Sequence, residues 1–177
     1  MSAGQSTFRL VVLASGGGTN LQAILDQLHG KEGIEVAGVA SDKPDAFALE
    51  RAAAAKVPTG VFARDDWPDR KARDLAMAGW IDSVEADLVV LAGYMQLVSP
   101  EFVARFRGRI VNVHPALLPS FPGLDAIGQA IEHGVRVTGV TVHFVDEGTD
   151  TGPVIRQQAV EIPANWDRDE LEIAVHD

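Results

Sequence analysis

In the run Ile110-Val111-Asn112-Val113-His114, an amide and an imidazole stand two residues apart. In an extended chain both side chains then project to one side. An amide donor next to an imidazole can stabilise an oxyanion and move a proton, which acyl or formyl transfer to an amine requires. The same pair has a plainer reading, a strand-end histidine held by structural hydrogen bonds. Downstream, Asp146-Glu147-Gly148-Thr149-Asp150-Thr151-Gly152-Pro153 carries carboxylates just past the alternating run Thr141-Val142-His143-Phe144-Val145. Asp150 is the carboxylate expected to pair with His114, favouring its charged form and fixing the ring. Asp146 and Glu147 fit an ordinary acidic turn better. His143 is read either as support for this site or as core packing.

A second candidate lies near the start, where Ser15-Gly16-Gly17-Gly18-Thr19-Asn20 joins an apolar run to Leu21, Ile24, Leu25 and Leu28 at helical spacing. Three glycines before a helix N-terminus let backbone N–H groups approach an anion, with the helix dipole assisting. A phosphate cradle is one reading. A dinucleotide turn is another, with Asp42 in place of the ribose-binding acid, although Leu21 stands where the third glycine of G-x-G-x-x-G belongs. A tight turn without ligand is the third. His29 and His133 each precede a glycine at a predicted helix end and are read as C-terminal caps. No His, Asp or Glu spacing suggests a metal site, and none is expected.

These residues need a frame. The apolar run Phe8 to Ala14 predicts a buried first strand, and further strands are predicted at Ile34 to Ala40, Thr59 to Ala63, Asp87 to Gly93, Arg109 to Val113, Val135 to Val145 and Val154 to Ile162. Helices are predicted after the glycine loop and at Ala46 to Ala55, Asp69 to Val84, Glu101 to Phe106 and Asp125 to His133, and another begins at Asp167. Such alternation predicts an α/β fold, a doubly wound, mostly parallel sheet of Rossmann-like form with ligands beyond the carboxyl ends of the strands. Residues 1–177 read as a single domain, without repeats or linker.

The net charge of −10 argues against nucleic acid as a partner, since phosphate-backbone binding needs clustered Lys and Arg. With no cysteine there is no disulfide, thiolate metal site or cysteine nucleophile. No apolar run approaches the roughly 20 residues of a membrane span, and the opening MSAGQST lacks a signal pattern. A cytoplasmic protein is expected, with no membrane partner.

Four stretches taken together resemble the folate-dependent formyltransferases: Val11 to Gln22 around the glycine loop, Leu91-Ala92-Gly93-Tyr94-Met95, Val111 to Gly123 with its Asn112-Val113-His114-Pro115, and Val142 to Pro153. The resemblance runs from Arg9 to about Pro163 and is closest to the branch acting in purine biosynthesis. It implies transfer of the formyl group of 10-formyltetrahydrofolate, a consumed co-substrate, to the amine of glycinamide ribonucleotide. It makes Asn112, His114 and Asp150 the catalytic residues, and it assigns Gly18, Thr19 and Asn20 to the ribonucleotide phosphate. Folate contacts are implied at Arg70, Met95, Gln96, Leu97, Val98, Asn112, Asp146, Glu147, Gly148, Thr149 and Asp150. A formyltetrahydrofolate hydrolase of the same family and a nicotinamide-dependent oxidoreductase are the alternatives carried forward. The family continues past the point where this chain stops, so the domain is expected to lack its C-terminal end. A homodimer is left open.

Overall fold

The computed structural model describes residues 7–176; the opening residues 1–6, part of the stretch read for a signal pattern, and Asp177 lie outside the described residues. Among the described residues, seven strands and six α-helices form the α/β fold anticipated from the alternation. The chain divides into two compact units, Met1–Ile110 and Val111–Asp177.

The first unit carries β1 (Phe8–Leu13), α1 (Thr19–Gln27), β2 (Ile34–Ser41), α2 (Phe47–Ala54), β3 (Thr59–Val61), α3 (Arg70–Ser83), β4 (Leu88–Leu91) and α4 (Pro100–Arg105). A short 3₁₀ turn, Arg64–Asp66, precedes α3. Its strands run in the order β3-β2-β1-β4, all parallel. Val11, Val12 and Leu13 are fully buried, as a continuous apolar strand covered on both faces requires. Residues such as Leu21, Met77, Ile81 and Phe102 complete this core, each large side chain contributing about 1.5–3 kcal/mol by burial. Two helices start on side-chain caps: Asp69 accepts from Ala72 N–H at 2.7 Å and Ser99 from Phe102 N–H at 3.3 Å.

The second unit takes in nearly all of β5 (Ile110–His114), then α5 (Ala126–His133), β6 (Val137–Phe144), β7 (Val154–Glu161) and α6 (Arg168–His176). Here the pairing is antiparallel, β5 with β6 and β6 with β7. Ile127 and Ala130 of α5 bury against Leu171 and Val175 of α6 and Ile162. The helix anticipated from Asp167 begins with a reciprocal cap. Asp167 N–H donates to the Glu170 carboxylate at 2.8 Å, and Glu170 N–H donates to that of Asp167 at 3.1 Å.

The two capping histidines part company. His133 Nδ1 lies 2.9 Å from the Gln129 carbonyl, just before Gly134 adopts the left-handed cap at φ 66°, as expected. His29 instead accepts the Val36 N–H on Nδ1 at 3.0 Å. Its ring lies beyond the end of α1 and closes the turn into β2 rather than capping the last helical carbonyls.

Candidate active site

Asn112 and His114 leave β5 on the same side, and β6 supplies their neighbours. The antiparallel register sets Asn112 opposite His143 and His114 opposite Thr141. Directly opposed residues bring their Cβ atoms within about 5 Å, so polar ends of this length must meet. Beyond β6, Asp146 ties the loop shut by accepting from Gly148 N–H at 3.0 Å and from the Thr151 hydroxyl at 2.7 Å. That closure returns Asp150, held at a left-handed φ of 54°, over the end of β5.

The Asp150 carboxylate is the hub. Its Oδ2 accepts from Gly123 N–H at 2.7 Å and lies 3.5 Å from His114 Nδ1. Its Oδ1 accepts from Asn112 Nδ2 at 3.5 Å and lies 3.5 Å from His143 Nε2. The side chains of Asp150, His114 and His143 are only 12 %, 5 % and 2 % exposed, so water screens these charges weakly. Burial alone would raise the Asp150 pKa. The His143 hydrogen bond, the Gly123 N–H and the two imidazoles outweigh it, and the carboxyl is held below its ordinary value. Burial would likewise lower His143, but Asp150, the Phe144 carbonyl and the charge of Asp146 prevail and raise it.

Thus the second unit gathers all three sequence-predicted catalytic candidates together with two further groups. One is the Phe121 carbonyl, 2.8 Å from His114 Nε2, on a residue at a left-handed φ of 53°. No side-chain pattern could announce a backbone acceptor. The other is His143, whose contact with Asn112 follows from a register that alternation alone does not give.

The first unit holds the remaining candidates. Gly18 is the N-cap of α1 at φ 69° and no side chain caps that helix. A Cβ at Gly18 would lie 2.8 Å from the Ala48 Cβ and 2.9 Å from its Cα, so glycine is demanded by both conformation and packing. From α2, Ala48 N–H donates to the Gly16 carbonyl at 3.0 Å and Arg51 Nε donates to the Gly17 carbonyl at 2.8 Å. With its carbonyls tied back and its helix uncapped, the Gly18-Thr19-Asn20 turn presents first-turn N–H donors that no intrahelical carbonyl can satisfy.

Past β4, the Met95 N–H donates to Ser15 Oγ at 2.8 Å, anchoring Met95 to the end of the glycine-loop strand. Met95 and Leu97 expose most of their apolar surface. Beneath them lies a buried ion pair, Arg73 to Asp74 at 2.7 Å. Arg73 also donates to Gln96 Oε1 and the Leu97 carbonyl, both at 3.4 Å, while Asp74 accepts the Ser99 N–H at 2.5 Å. Arg70 opens α3 and lines a cavity of about 460 Å³ with Arg64, Trp67, Arg73 and Gln96. Asp42, the acid that kept a dinucleotide reading open, is buried and accepts from Gln96 Nε2 at 3.0 Å. Among the described residues no cluster of three or more His, Asp or Glu could hold a metal ion, and no helix is long and apolar enough to cross a membrane.

An amide, an imidazole and a carboxylate gathered at a strand end can together stabilise an oxyanion and move a proton. The formyl transferase family model matches residues 8–177, and the chain belongs to that family. It is 40 % identical over 169 residues to phosphoribosylglycinamide formyltransferase of Bacillus subtilis, spanning 95 % of this chain and 87 % of that one. Identity to the Mycobacterium tuberculosis H37Rv protein of the same name is 46 % over 163 residues, covering 92 % and 75 % of the two chains. The crystal structure of glycinamide ribonucleotide transformylase 1 from Symbiobacterium toebii superposes with a TM-score of 0.93 at 45 % identity, over 99 % of this chain and 86 % of that one. The chain is therefore an enzyme of the formyl-transferring class, whose family implies small-molecule substrates and a folate-type formyl donor.

Proposed function

We propose that this chain transfers the formyl group of 10-formyltetrahydrofolate to the amine of glycinamide ribonucleotide, with Asn112, His114 and Asp150 as catalytic residues. The observation that carries the reading is the Asp150 carboxylate, 3.5 Å from both the His114 ring and the Asn112 amide. The amine nitrogen attacks the formyl carbon, the C=O electrons move onto oxygen, and the bond from carbon to the folate nitrogen then breaks. The proton lost by the amine goes to that leaving nitrogen, so the reaction balances without a redox partner.

Asn112 and a protonated His114 meet the oxyanion. In the free protein His114 Nε2 rests on the Phe121 carbonyl. The developing oxyanion, a charged acceptor and hence a stronger one, replaces that neutral carbonyl. Asp150 keeps the ring oriented through Nδ1 and assists proton movement.

Gly18, Thr19 and Asn20 take the ribonucleotide phosphate on backbone donors, a mode that suits a chain of net charge −10 because it needs no basic surface. Folate contacts are assigned in the first unit to Arg70, Met95, Gln96, Leu97 and Val98, where exposed apolar side chains can cover a pterin. In the second unit they are assigned to Asn112 and to Asp146, Glu147, Gly148, Thr149 and Asp150. Release of tetrahydrofolate, followed by absorbance with and without glycinamide ribonucleotide, tests the reading. Release that requires the amine supports the transferase; equal release without it makes the protein a hydrolase.

A further inference from the structure

His143 is 2 % exposed, and at that depth each ring nitrogen needs a partner. Nδ1 lies 2.9 Å from the Phe144 carbonyl, which can only accept, so Nδ1 carries a hydrogen. That fixes the ring and leaves Nε2 as the edge facing the site. Nε2 is 3.3 Å from Asn112 Nδ2 and 3.5 Å from Asp150 Oδ1, and those two atoms are 3.5 Å apart. The three atoms form a nearly equilateral triangle whose corners are the amide donor, the carboxylate and this ring.

We propose that His143 is a positioning residue for formyl transfer: anchored through Nδ1, its Nε2 sets the rotation of the Asn112 amide and so aims the N–H that meets the oxyanion. The inference rests on the assignment of Asn112 as an oxyanion donor. Unguided, an amide can turn either its oxygen or its nitrogen toward Asp150. Turning the oxygen inward would set it against the Asp150 carboxylate and the Nε2 lone pair, acceptor against acceptor. The neutral His143 ring and Asp150 lie on the same side of the Asn112 nitrogen and share one amide hydrogen, so the second, about 120° away, is left for the reacting oxygen. The charged groups facing His143 are Asp150 and Asp146 from the loop after β6. On β5 its partner is the uncharged Asn112, and on β7 it is Val154.

A packing role would need volume alone, which leucine supplies. The test is a double-mutant cycle of His143→Leu with Asn112→Ala, read as kcat and KM for both substrates, with thermal melting of each variant. The expected result is a kcat about 10- to 100-fold lower for His143→Leu with both KM values nearly unchanged, because a misaimed donor is a fault of the transition state. In the Asn112→Ala background the same change should cost less than about threefold, since the group it acts through is gone. His143→Gln, which restores a hydrogen-bonding end near Nε2, should recover part of the loss, and it carries the same cycle if His143→Leu does not fold. An equal loss in both backgrounds, or an intact kcat for His143→Leu, overturns the inference. A silent Asn112→Ala is a different failure: it removes the oxyanion assignment itself, and this inference with it.

Discussion

Replacing Asp150 with asparagine keeps the shape of the hub and removes its charge. The Gly123 N–H, 2.7 Å away, needs an acceptor and will hold the new amide with its oxygen in the Oδ2 place. The amide nitrogen then takes the Oδ1 place, 3.5 Å from Asn112 Nδ2, so two donors face each other where a carboxylate had accepted. His114 loses its charged neighbour at the same time. A unit-charge pair at 3.5 Å is worth about 5 kcal/mol at an effective dielectric of about 20, and side chains this little exposed keep most of that. Taking this as a ceiling, and about 1.4 kcal/mol per factor of ten, kcat should fall by roughly 10³-fold, within the 10²–10⁴ that positioned acid–base groups contribute. The assay is the initial rate of tetrahydrofolate formation at saturating amine and folate, alongside circular dichroism and a melting curve. A loss smaller than about tenfold in a folded variant would refute the reasoning, because the charge would not then be supporting the transition state.

Other consequences follow from the same geometry. Asn112→Ala should lower kcat by roughly 10²- to 10³-fold, as loss of one oxyanion donor does; steady-state kinetics will show it. Gly18→Ala places a Cβ 2.8 Å from that of Ala48 at a left-handed φ, so it should cost about 1–3 kcal/mol in a denaturant titration and raise the KM for the ribonucleotide. Asp74→Ala strands Arg73 in a nearly dry interior and frees the Ser99 N–H; a loss of about 3–5 kcal/mol is expected in denaturant, with a weaker KM for folate. For pH, the raised His143 pKa contributes stability that is complete below about 6.5 and lost as pH rises through the folded value. The lowered Asp150 pKa contributes stability that is complete above about 3.8 and lost as pH falls through the folded value. Their joint contribution should therefore be greatest between those limits, and Asp150→Asn should flatten both flanks of a plot of melting temperature against pH.

Much of this was legible in the residues. The apolar run from Phe8, buried from Leu10 onward, the glycine break after it and the helical spacing from Leu21 each report a local preference, and each produced the expected element. Asn112 and His114 had to share a side because a strand alternates. Asp150 was legible as a candidate through its place in the acidic loop, but its distance to His114 depends on the closure made by Asp146 with Gly148 and Thr151. The part played by His143 needs the β5–β6 register, a long-range fact, and the Phe121 carbonyl belongs to the backbone. His29 went the other way: its position next to a glycine suggested a cap, yet the competing Val36 N–H claimed the ring.

The most direct test of the central claim follows an isotopically labelled formyl group from 10-formyltetrahydrofolate in the presence of glycinamide ribonucleotide. The account predicts that label appears on the ribonucleotide amine in one-to-one proportion with the tetrahydrofolate released. Label recovered as free formate, with none on the ribonucleotide, would contradict it.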